Sequence, residues 1–502
     1  MTVADTIIDP AMTRTVEFIF DAAWCRVAKY SERTVVADIL NSLSYTDKNL
    51  EFVRRKYNRP INTTRYAWDE KKNAFPAGLL PRVYDRLVEL NYKIELTNSV
   101  EPVDPVEPGL PEWLYPHQHK MIRAALSHYR GLIQSPTGSG KSVAIAYTIA
   151  HFPHVPVLVV VPSVDLLTQI AKTLEEHLEE PIGRIGGGYK KWGRVTVGII
   201  NSLSKQARAD PENFADIKVL IWDECHRAAA SSHSYLSAAC INTYYRLGFS
   251  ATAFREAGDN LLLEGVIGPK ILEIAEMDLV KSKLILKPEY LCLKVAAPDT
   301  TYPGAKYLAT ANKYIYNTHN SKPEKIDVYR QALVENKERN ELIVSILEAY
   351  RSRHASPALV LVEWATHGFL LQRLCQERGI ELVFIHGKTC KTERQETIDR
   401  LKQGEKLFVC ATRILNEGTD IPALDFVVIA SGGAAHTRIV QQVGRAIRTC
   451  EAAGKERAIV VDFYDQEPYY LCYNFTSRSR AIIQKFPLSY RIVTLEELKE
   501  LL

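Results

Sequence analysis

The sequence predicts an α/β fold in which two doubly wound, parallel-sheet domains follow a smaller N-terminal α/β domain. Two features support this prediction. Short runs rich in Val, Ile and Leu alternate with amphipathic stretches in two separate series, and the charge and proline content change abruptly near residue 100. Apolar runs without polar alternation are typical of strands that are buried on both faces, as in a parallel sheet covered by helices.

The first series of apolar runs predicts a domain at residues 113–282, and the second series predicts a domain at residues 283–502. The runs of the first series are "GLIQSP", "VPVLVVVP", "RVTVGII", "IKVLIWDE" and "YYRLGFSA". Those of the second are "PALVLVEW", "IELVFIHG", "KLFVCAT", "LDFVVIASG" and "RAIVVDFY". Helical stretches such as "DLLTQIAKTLEEHLEE" lie between them, which is the alternation of a doubly wound fold. The polar segment from about Lys281 to Lys325 is predicted to join the two domains.

The segment before these domains differs in charge and composition. Between Lys48 and Lys93 it carries eleven Lys and Arg residues against five Asp and Glu residues. The stretch "ELTNSVEPVDPVEPGLPEW" then has no basic residue and four spaced prolines, a composition that favours an extended linker. We therefore predict a small N-terminal domain at residues 1–100 and a proline-rich linker at residues 101–112.

The overall composition predicts a soluble protein with reduced thiols. The chain has 502 residues, a formal net charge of +4, and nine cysteines without a Cys-x-x-Cys pair. The N-terminus lacks the features of a signal peptide, and no apolar stretch approaches the ~18 residues of a membrane span. We expect a cytoplasmic protein, in the host cytoplasm if it is viral, without a membrane partner.

The stretch "SPTGSGKS" predicts a phosphate-binding loop. It ends an apolar run and opens a helical stretch, so backbone N–H groups and the helix N-terminus converge there. Gly138 and Gly140 permit conformations and close approaches that a Cβ would hinder. Lys141 can reach the β- and γ-phosphates, and the Ser142 hydroxyl can ligate Mg²⁺. Ser135 stands where the strict motif has its first glycine.

An acidic pair in "VLIWDECH" predicts the catalytic partner of this loop. Asp223 is expected to hold Mg²⁺, and Glu224 to polarise the attacking water. Cys225 and His226 have no other clustered His or Cys ligands nearby in sequence, so a separate metal site is not expected. His226 is expected instead to couple this site to the next motif.

From Trp113 to about Asp465 the motifs resemble those of the superfamily 2 helicases and occur in that family's order. The resemblance implies two RecA-like domains that close on ATP and Mg²⁺. The positions it assigns to the nucleotide are Gln118, Pro136, Thr137, Gly138, Ser139, Gly140, Lys141, Ser142, Gly418 and Asp420. Those it assigns to catalysis are Lys141, Asp223, Glu224, and Gln441, Arg445 and Arg448 of "QQVGRAIR". Those it assigns to coupling are His226, Ser250 and Thr252.

The same resemblance implies nucleic-acid contacts in both domains. These are Ser163 of "VVVPSVDLLTQ", Gly187, Asn201 and Ser202 of "IINSL", Trp364 of "LVEWATHG", and Thr412 of "ATRILNEGTDIP". Arg445 and Arg448 are three residues apart and so share one helix face, from which they are expected to reach the γ-phosphate across the interdomain cleft. Closure and opening of the cleft would then move the two domains along nucleic acid.

Aromatic and basic residues interleave in the N-terminal segment, which predicts a DNA-binding face that includes Arg54, Arg55, Lys56 and Arg65. This segment resembles the N-terminal domain of the UvsW-like phage helicases. That resemblance implies an enzyme that remodels branched or forked DNA by branch migration, fork regression and R-loop unwinding, with RNA as a partner in RNA–DNA hybrids. Near the C-terminus, Arg478, Arg480 and Lys485 either contact DNA as well or belong to a solvated helix.

Three alternatives stay open. An RNA helicase is disfavoured by "VPSVDLL", which departs from the sequence typical of DEAD-box RNA helicases. A restriction-enzyme motor subunit is disfavoured because no nuclease constellation is evident. A nucleotide-gated binding module without catalysis is disfavoured by the presence of Lys141, Glu224 and the arginine pair.

Overall fold

The computed structural model describes residues 14–58, 60–136, 138–225, 230–251, 260–295, 329–412, 424–433, 455, 457–466, 469–486 and 488–502. The chain divides into two compact units, residues 1–274 and 275–502. Each unit contains a large parallel sheet, and the first also contains a small α/β module near its N-terminus. The predicted fold class, two RecA-like α/β domains after a small α/β region, is confirmed. The exact domain limits stay predictions.

The small module, called here the N-module, spans residues 14–98. Its elements are β1 (Thr15–Phe20), β2 (Trp24–Tyr30), α1 (Thr34–Ser42), β3 (Ser44–Thr46), α2 (Lys48–Tyr57), β4 (Thr64–Tyr66), β5 (Ala74–Pro76), α3 (Leu80–Glu89) and β6 (Lys93–Asn98). The sheet order is β5-β2-β1-β6, with β6 parallel to β1 and the other pairs antiparallel. Helix α3 presents buried Leu80, Val83 and Leu87 to the core at helical spacing.

The rest of the first unit is called lobe 1. Its helices are α4 (Pro116–Ser127), α5 (Lys141–Ala150), α6 (Val164–Leu178), α7 (Ile200–Ala209), α8 (Ala230–Ala239) and α9 (Asn260–Ile267). Its strands are β7 (Arg130–Gln134), β8 (Val157–Val161), β9 (Gly183–Gly186), β10 (Tyr189–Lys191), β11 (Val195–Ile199), β12 (Val219–Asp223), β13 (Tyr245–Ser250) and β14 (Lys270–Glu273). The sheet order is β10-β9-β11-β8-β12-β13-β7-β14, and every pair is parallel except β10 with β9.

The N-module packs directly on lobe 1. Leu261 of α9 belongs to the same hydrophobic core as the N-module strands and helices. Arg82 of α3 forms a bidentate ion pair with Glu264 of α9, in which Nε and Nη2 donate to Oε1 and Oε2 at 3.3 and 2.8 Å. Arg130, the first residue of β7, donates a hydrogen bond to the carbonyl oxygen of Ala22. Because β7 begins at this contact, the N-module lies at the amino edge of the lobe 1 sheet.

Two glycines allow the closest approach across this interface. A Cβ added to Gly78, in the turn Ala77–Leu79 that precedes α3, would lie 2.2 Å from the backbone oxygen of Glu264. A Cβ added to Gly265 would lie 2.8 Å from Pro76 Cβ. Backbone atoms cannot rotate away as a flexible side chain can. Any side chain at residue 78 must therefore push the N-module away from α9 of lobe 1.

We therefore expect Gly78→Ala to loosen the N-module from lobe 1. Overpacking of this kind costs about 1–3 kcal/mol, and contact with backbone places the effect at the upper end of that range. The measurement is the thermal midpoint, combined with limited proteolysis of the linker at residues 101–111, which forms neither helix nor strand. Gly109→Ala in the linker is the matched control, because a Cβ there meets nothing within 4 Å. Equal midpoints and equal cleavage for the two variants would refute this prediction.

The second unit is called lobe 2. Its helices are α10 (Glu276–Lys281), α11 (Lys337–Arg353), α12 (Ala365–Glu377), α13 (Lys391–Lys402), α14 (Tyr469–Lys485) and α15 (Leu495–Leu501), with a π-helical turn at Arg330–Val334. Its strands are β15 (Glu289–Val295), β16 (Ala358–Leu361), β17 (Leu382–Ile385), β18 (Phe408–Ala411), β19 (Phe426–Ile429), β20 (Ile459–Asp465) and β21 (Ser489–Val493). The order is β17-β18-β16-β19-β20-β15-β21, and all pairs are parallel.

All ten apolar runs singled out in the sequence are strands of these two sheets. Strand β15 is different, because it lies inside the polar segment that was predicted to join the domains. It pairs with β20 along its whole length and contributes buried Leu291 and Leu293 to the core of lobe 2.

The C-terminal basic stretch also differs from its prediction. Arg478 lies on α14 and is 1% exposed, so it cannot contact DNA. Its guanidinium forms two hydrogen bonds of 2.8 Å with the carboxylate of Asp462 on β20. Arg480, two residues along the same helix, is exposed. A basic pattern in sequence does not reveal which arginine faces the sheet.

Candidate functional site

The carboxyl ends of the parallel strands of lobe 1 meet at one edge of the sheet, opposite the N-module. Strands β12, β13 and β7 are neighbours in the sheet, and each is followed by residues singled out in the sequence. Asp223 ends β12 and Glu224 follows it, Ser250 ends β13, and the loop at residues 135–140 follows β7. Crevices outside the carboxyl ends of strands are the usual ligand sites of open α/β sheets.

The loop after β7 has the geometry of an anion cradle. Gly138 and Gly140 have φ angles of 87° and 73°, in the left-handed region that favours glycine. Gly140 is the residue that precedes α5, and a Cβ there would lie 2.2 Å from Gln118 Nε2. Lys141 and Ser142 therefore occupy the first turn of the helix, where its N–H groups and dipole favour an anion.

Helix α4 holds this loop from the side. His117 forms a 2.8 Å hydrogen bond through Nε2 with the carbonyl oxygen of Ser139. Gln118 accepts a hydrogen bond from the N–H of Tyr115 at 3.0 Å, and its amide lies 3.4 Å from the oxygen of Gly140. At 3% exposure Gln118 is packed against the loop, and its predicted role in reading the base stays a prediction.

The Lys141 ammonium lies inside the cradle, close to the acidic pair. It donates hydrogen bonds to the carbonyl oxygens of Ser135 and Pro136, at 3.1 and 3.2 Å. It also lies 3.9 Å from Glu224 Oε1, and both side chains are largely buried. Buried opposite charges at this distance stabilise each other, so the pair is preformed and largely removed from solvent.

The chain turns sharply between the two acidic residues. Glu224 has a φ angle of 49°, which is uncommon for a residue with a side chain, and its N–H donates to the oxygen of Phe249 at 2.9 Å. Asp223 ends the strand and is 6% exposed. A carboxylate oxygen from Asp223 and a hydroxyl oxygen from Ser142 are the hard oxygen donors that Mg²⁺ prefers, so this donor set fits the ion.

Ser250 links the acidic strand to the loop strand. It is fully buried at the end of β13, which lies between β12 and β7. Its carbonyl oxygen accepts a hydrogen bond of 2.9 Å from the N–H of Ser135, the first residue of the loop. The position agrees with a coupling role, which stays a prediction.

The predicted nucleic-acid contacts of lobe 1 gather on the adjoining part of the same edge, after β8, β9 and β11. Ser163 caps α6, its hydroxyl accepting the N–H of Leu166 at 3.4 Å. Gly187, with a φ angle of 62°, lies in the turn after β9, where a Cβ would come within 3.0 Å of Val164. Asn201 and Ser202 stand at the start of α7, with Asn201 exposed.

The predicted contacts of lobe 2 lie after neighbouring strands of its own sheet. Trp364 follows β16 and precedes α12, and Thr412 follows β18. Both are half-buried. The rings of Trp364 and Tyr329 are 4.9 Å apart between centroids.

The N-module presents an aromatic and basic surface. Helix α2 carries exposed Phe52, Arg54 and Tyr57, and strand β4 carries exposed Arg65 and Tyr66. Strands β3 and β4 form the two-stranded sheet that flanks α2 in the chain. The side chains of Arg55 and Lys56 lie outside the described residues.

Several predicted residues also lie outside the described part of the chain, namely Thr137, His226, Thr252, Gly418, Asp420, Gln441, Arg445 and Arg448. Conversely, His117 and Tyr115 stand beside the loop and were not singled out. Tyr115 stacks on His117 at 5.7 Å and is 42% exposed, which leaves an aromatic face open next to the cradle. Both belong to "YPHQ" at residues 115–118, the stretch that ends in the predicted nucleotide-binding residue Gln118, so the sequence around Gln118 contained the signal.

No group of three or more His, Cys, Asp or Glu side chains is arranged to hold a metal ion within the described ranges. No helix in them is long and apolar enough to cross a membrane.

Comparison with protein families matches both lobes. Residues 113–255 match the family described as "Type III restriction enzyme, res subunit", and residues 338–450 match "Helicase conserved C-terminal domain". These ranges include the loop, the acidic pair and the predicted arginines.

Individual relatives are distant. The chain is 27% identical over 378 residues to "Putative DNA 3'-5' helicase Rad25" of Haloarcula marismortui, covering 75% of this chain and 56% of that protein. It is 26% identical to "DNA 3'-5' translocase XPB2" of Sulfurisphaera tokodaii, covering 66% and 78%. It is 24% identical to "ATP-dependent DNA helicase uvsW" of Enterobacteria phage T4, covering 71% and 68%.

Among solved structures, a fragment of a putative HsdR subunit of a type I restriction enzyme from Vibrio vulnificus has a TM-score of 0.56 and 16% identity. The match covers 82% of this chain and 74% of that one. At this identity the likeness concerns the fold alone.

Proposed function

Given that the chain belongs to the superfamily 2 helicases, we propose that it is an ATP-dependent DNA translocase that remodels branched DNA. The proposal rests on the arrangement of residues at the carboxyl edge of the lobe 1 sheet. A phosphate cradle with an acidic pair adjoins the predicted nucleic-acid contacts there, at the ends of strands that are neighbours in one sheet. Strand β12, which ends in Asp223, is the direct neighbour of β8, which precedes Ser163. A structural change on ATP hydrolysis therefore has to pass only from one strand to the next to reach the predicted nucleic-acid contacts.

The chemistry follows from the side chains of the cradle. The N–H groups of the loop and the Lys141 ammonium would bind the β- and γ-phosphates, replacing the carbonyl contacts that Lys141 makes in this structure. Ser142 and Asp223 would hold Mg²⁺, which supplies neutralisation of phosphate charge. Glu224 would orient the attacking water and accept its proton. Its burial beside Lys141 protects this geometry from bulk solvent.

The arginines that complete such a site are proposed to be Arg445 and Arg448. Their segment lies within the matched helicase C-terminal region at residues 338–450. An arginine supplied to the γ-phosphate can raise the rate by about 10³–10⁵-fold. Hydrolysis would therefore depend on the second lobe as well as the first.

The N-module supports a preference for DNA structures rather than a single strand alone. Its exposed aromatic side chains can stack on unpaired bases, and its exposed arginines can contact phosphates. Because the N-module packs tightly on lobe 1, this surface would travel with lobe 1 during each ATP cycle. Junctions and forks have more than one DNA arm, and the N-module would give the motor a second surface with which to bind another arm.

Branch migration and fork regression are the specific activities proposed. The test compares synthetic four-way junctions, replication forks and R-loops with simple duplexes that carry a 3′ or a 5′ tail. We expect ATP-dependent processing of junctions and forks at a rate well above that of tailed duplexes. Lys141→Ala should process none of them.

The matched substrate control is a junction of the same length whose arms lack homology and therefore cannot migrate. Equal rates on tailed duplexes and mobile junctions would refute the specificity for branched DNA. Activity on RNA duplexes alone would favour the alternative of an RNA helicase.

A further inference from the structure

The chain leaves β19 through Gly432 and Gly433, directly before the segment that carries the predicted arginines. That segment, 434–450, lies outside the described residues, but the two glycines are described and tightly held. A Cβ added to Gly432 would lie 2.2 Å from Leu333 Cδ1, and one added to Gly433 would lie 2.8 Å from Glu363 Oε2. Only glycine therefore fits at either position without moving its neighbours.

Three side chains bind the backbone of this glycine pair. Asn474 donates to the oxygen of Gly432 at 2.9 Å, and Arg478 donates to the oxygen of Gly433 at 2.9 Å. Both donors lie on α14. From the other side, the N–H of Gly432 donates to the hydroxyl oxygen of Tyr329 at 3.2 Å. The backbone of Gly432 and Gly433 is thus held by hydrogen bonds from α14 and from Tyr329.

Tyr329 has two further contacts. Its hydroxyl is hydrogen-bonded to the carboxylate of Glu363, and burial together with that carboxylate raises the pKa of Tyr329, so the hydroxyl stays protonated. Its ring packs on Trp364, with centroids 4.9 Å apart and planes inclined by 32°. Glu363 and Trp364 are consecutive residues between β16 and α12, and Trp364 is the N-cap residue of α12.

We propose that Tyr329 is a positioning residue that transmits contact at Trp364 to Gly432 and Gly433, which precede Arg445 and Arg448 in the chain. The inference rests on the proposed function, in which Trp364 contacts DNA and the arginines complete the ATP site. Movement of Trp364 or Glu363 on DNA binding displaces the Tyr329 ring or hydroxyl. The hydroxyl in turn holds the N–H of Gly432.

The surroundings of Tyr329 support a coupling role for its hydroxyl in addition to packing of its ring. Tyr329 is 6% exposed and lies in a small cluster with Ala332, Leu333, Val334 and Leu471, separate from the main core of lobe 2. Its hydroxyl is the one atom of the side chain that bonds both the glycine pair and the residue next to Trp364. Removing that atom alone should uncouple the two without removing the ring.

The test is Tyr329→Phe, which keeps the ring on Trp364 and deletes the hydroxyl. The readout is the ratio of the ATP hydrolysis rate with saturating single-stranded DNA to the rate without DNA. Because single residues on a coupling route change coupling modestly, we expect this ratio to fall by roughly tenfold. The Kd for DNA should change little, since Trp364 keeps its packing partner.

Tyr350→Phe is the matched control. Tyr350 is also buried in lobe 2, and its hydroxyl bonds Ser356 and Asp425. These two residues precede β16 and β19, so they lie at the ends of those strands opposite Glu363 and the glycine pair. It should lower the thermal midpoint as Tyr329→Phe does while keeping the wild-type ratio. A wild-type ratio for Tyr329→Phe, or an equal loss for Tyr350→Phe, would overturn the inference alone. A wild-type protein that DNA does not stimulate would overturn the proposed function and this inference with it.

Discussion

Replacement of Glu224 by glutamine is expected to slow ATP hydrolysis by roughly 10²–10⁴-fold while ATP still binds. Glutamine keeps the size of the side chain and its position after β12, but it cannot accept a proton from water. The Glu224 carboxylate lies 3.9 Å from the Lys141 ammonium, so its neutralisation also leaves more of the lysine charge for phosphate. We therefore expect the Kd for ATP to stay level or to decrease.

Single-turnover hydrolysis with forked DNA present, together with equilibrium binding of a fluorescent ATP analogue, measures the two effects separately. Glu176→Gln is the control, because Glu176 forms an exposed pair with Lys172 at 3.7 Å on the surface of α6. Exposed pairs contribute little, so this variant should hydrolyse ATP as the wild type does. Hydrolysis by Glu224→Gln at the control's rate would show that another group serves as the base.

Replacement of Arg478 by methionine is expected to reduce the free energy of unfolding by about 3–5 kcal/mol. The substitution leaves Asp462 buried without its cation, and a lone buried carboxylate is costly. Tyr290 donates a hydrogen bond of 2.6 Å to the same carboxylate, but one neutral donor does not replace a guanidinium. Loss of the Arg478 contact with Gly433 adds to the effect.

Chemical denaturation monitored by circular dichroism measures this loss, with Arg480→Met as the control. Arg480 is exposed on the same helix, so its replacement should change the stability by no more than about 0.5 kcal/mol. Both variants remove one arginine from the same basic stretch, so a difference between them reports the burial of Arg478 and not the loss of a positive charge. Equal stabilities would mean that Arg478 faces solvent.

The strands of the two large sheets could be predicted because most of them are buried on both faces. Runs such as "VPVLVVVP" and "IKVLIWDE" contain no alternation and end at Pro, Asp or Glu, which marks both their burial and their limits. The less apolar strands were missed. Strand β14 reads "KILE" at one edge of its sheet, and strand β21 reads "SYRIV" at the edge of the other, where exposed residues interrupt the apolar pattern.

Strand β15 was missed for a different reason. "EYLCLKV" is mostly buried, but the lysines and glutamate around it gave the whole segment a polar average. Only its pairing between β20 and β21 identifies it as part of the sheet. Tertiary contacts of that kind are not encoded in local composition.

The candidate site could likewise be predicted only where a local motif defines it. The cradle and the acidic pair follow from short motifs whose chemistry requires those residues in that order. Which elements support them does not follow, because His117 acts on the loop from 22 positions away and Tyr329 acts on Gly432 from 103 positions away. The ion pair that buries Arg478 was likewise invisible beside its exposed neighbour Arg480.

The proposed DNA-dependent ATPase is tested most directly by the steady-state rate of ATP hydrolysis with and without nucleic acid. We expect single-stranded and forked DNA to raise the wild-type rate, and Lys141→Ala to hydrolyse no ATP in any condition. A rate that RNA raises and DNA leaves unchanged, or full hydrolysis by Lys141→Ala, would contradict this expectation.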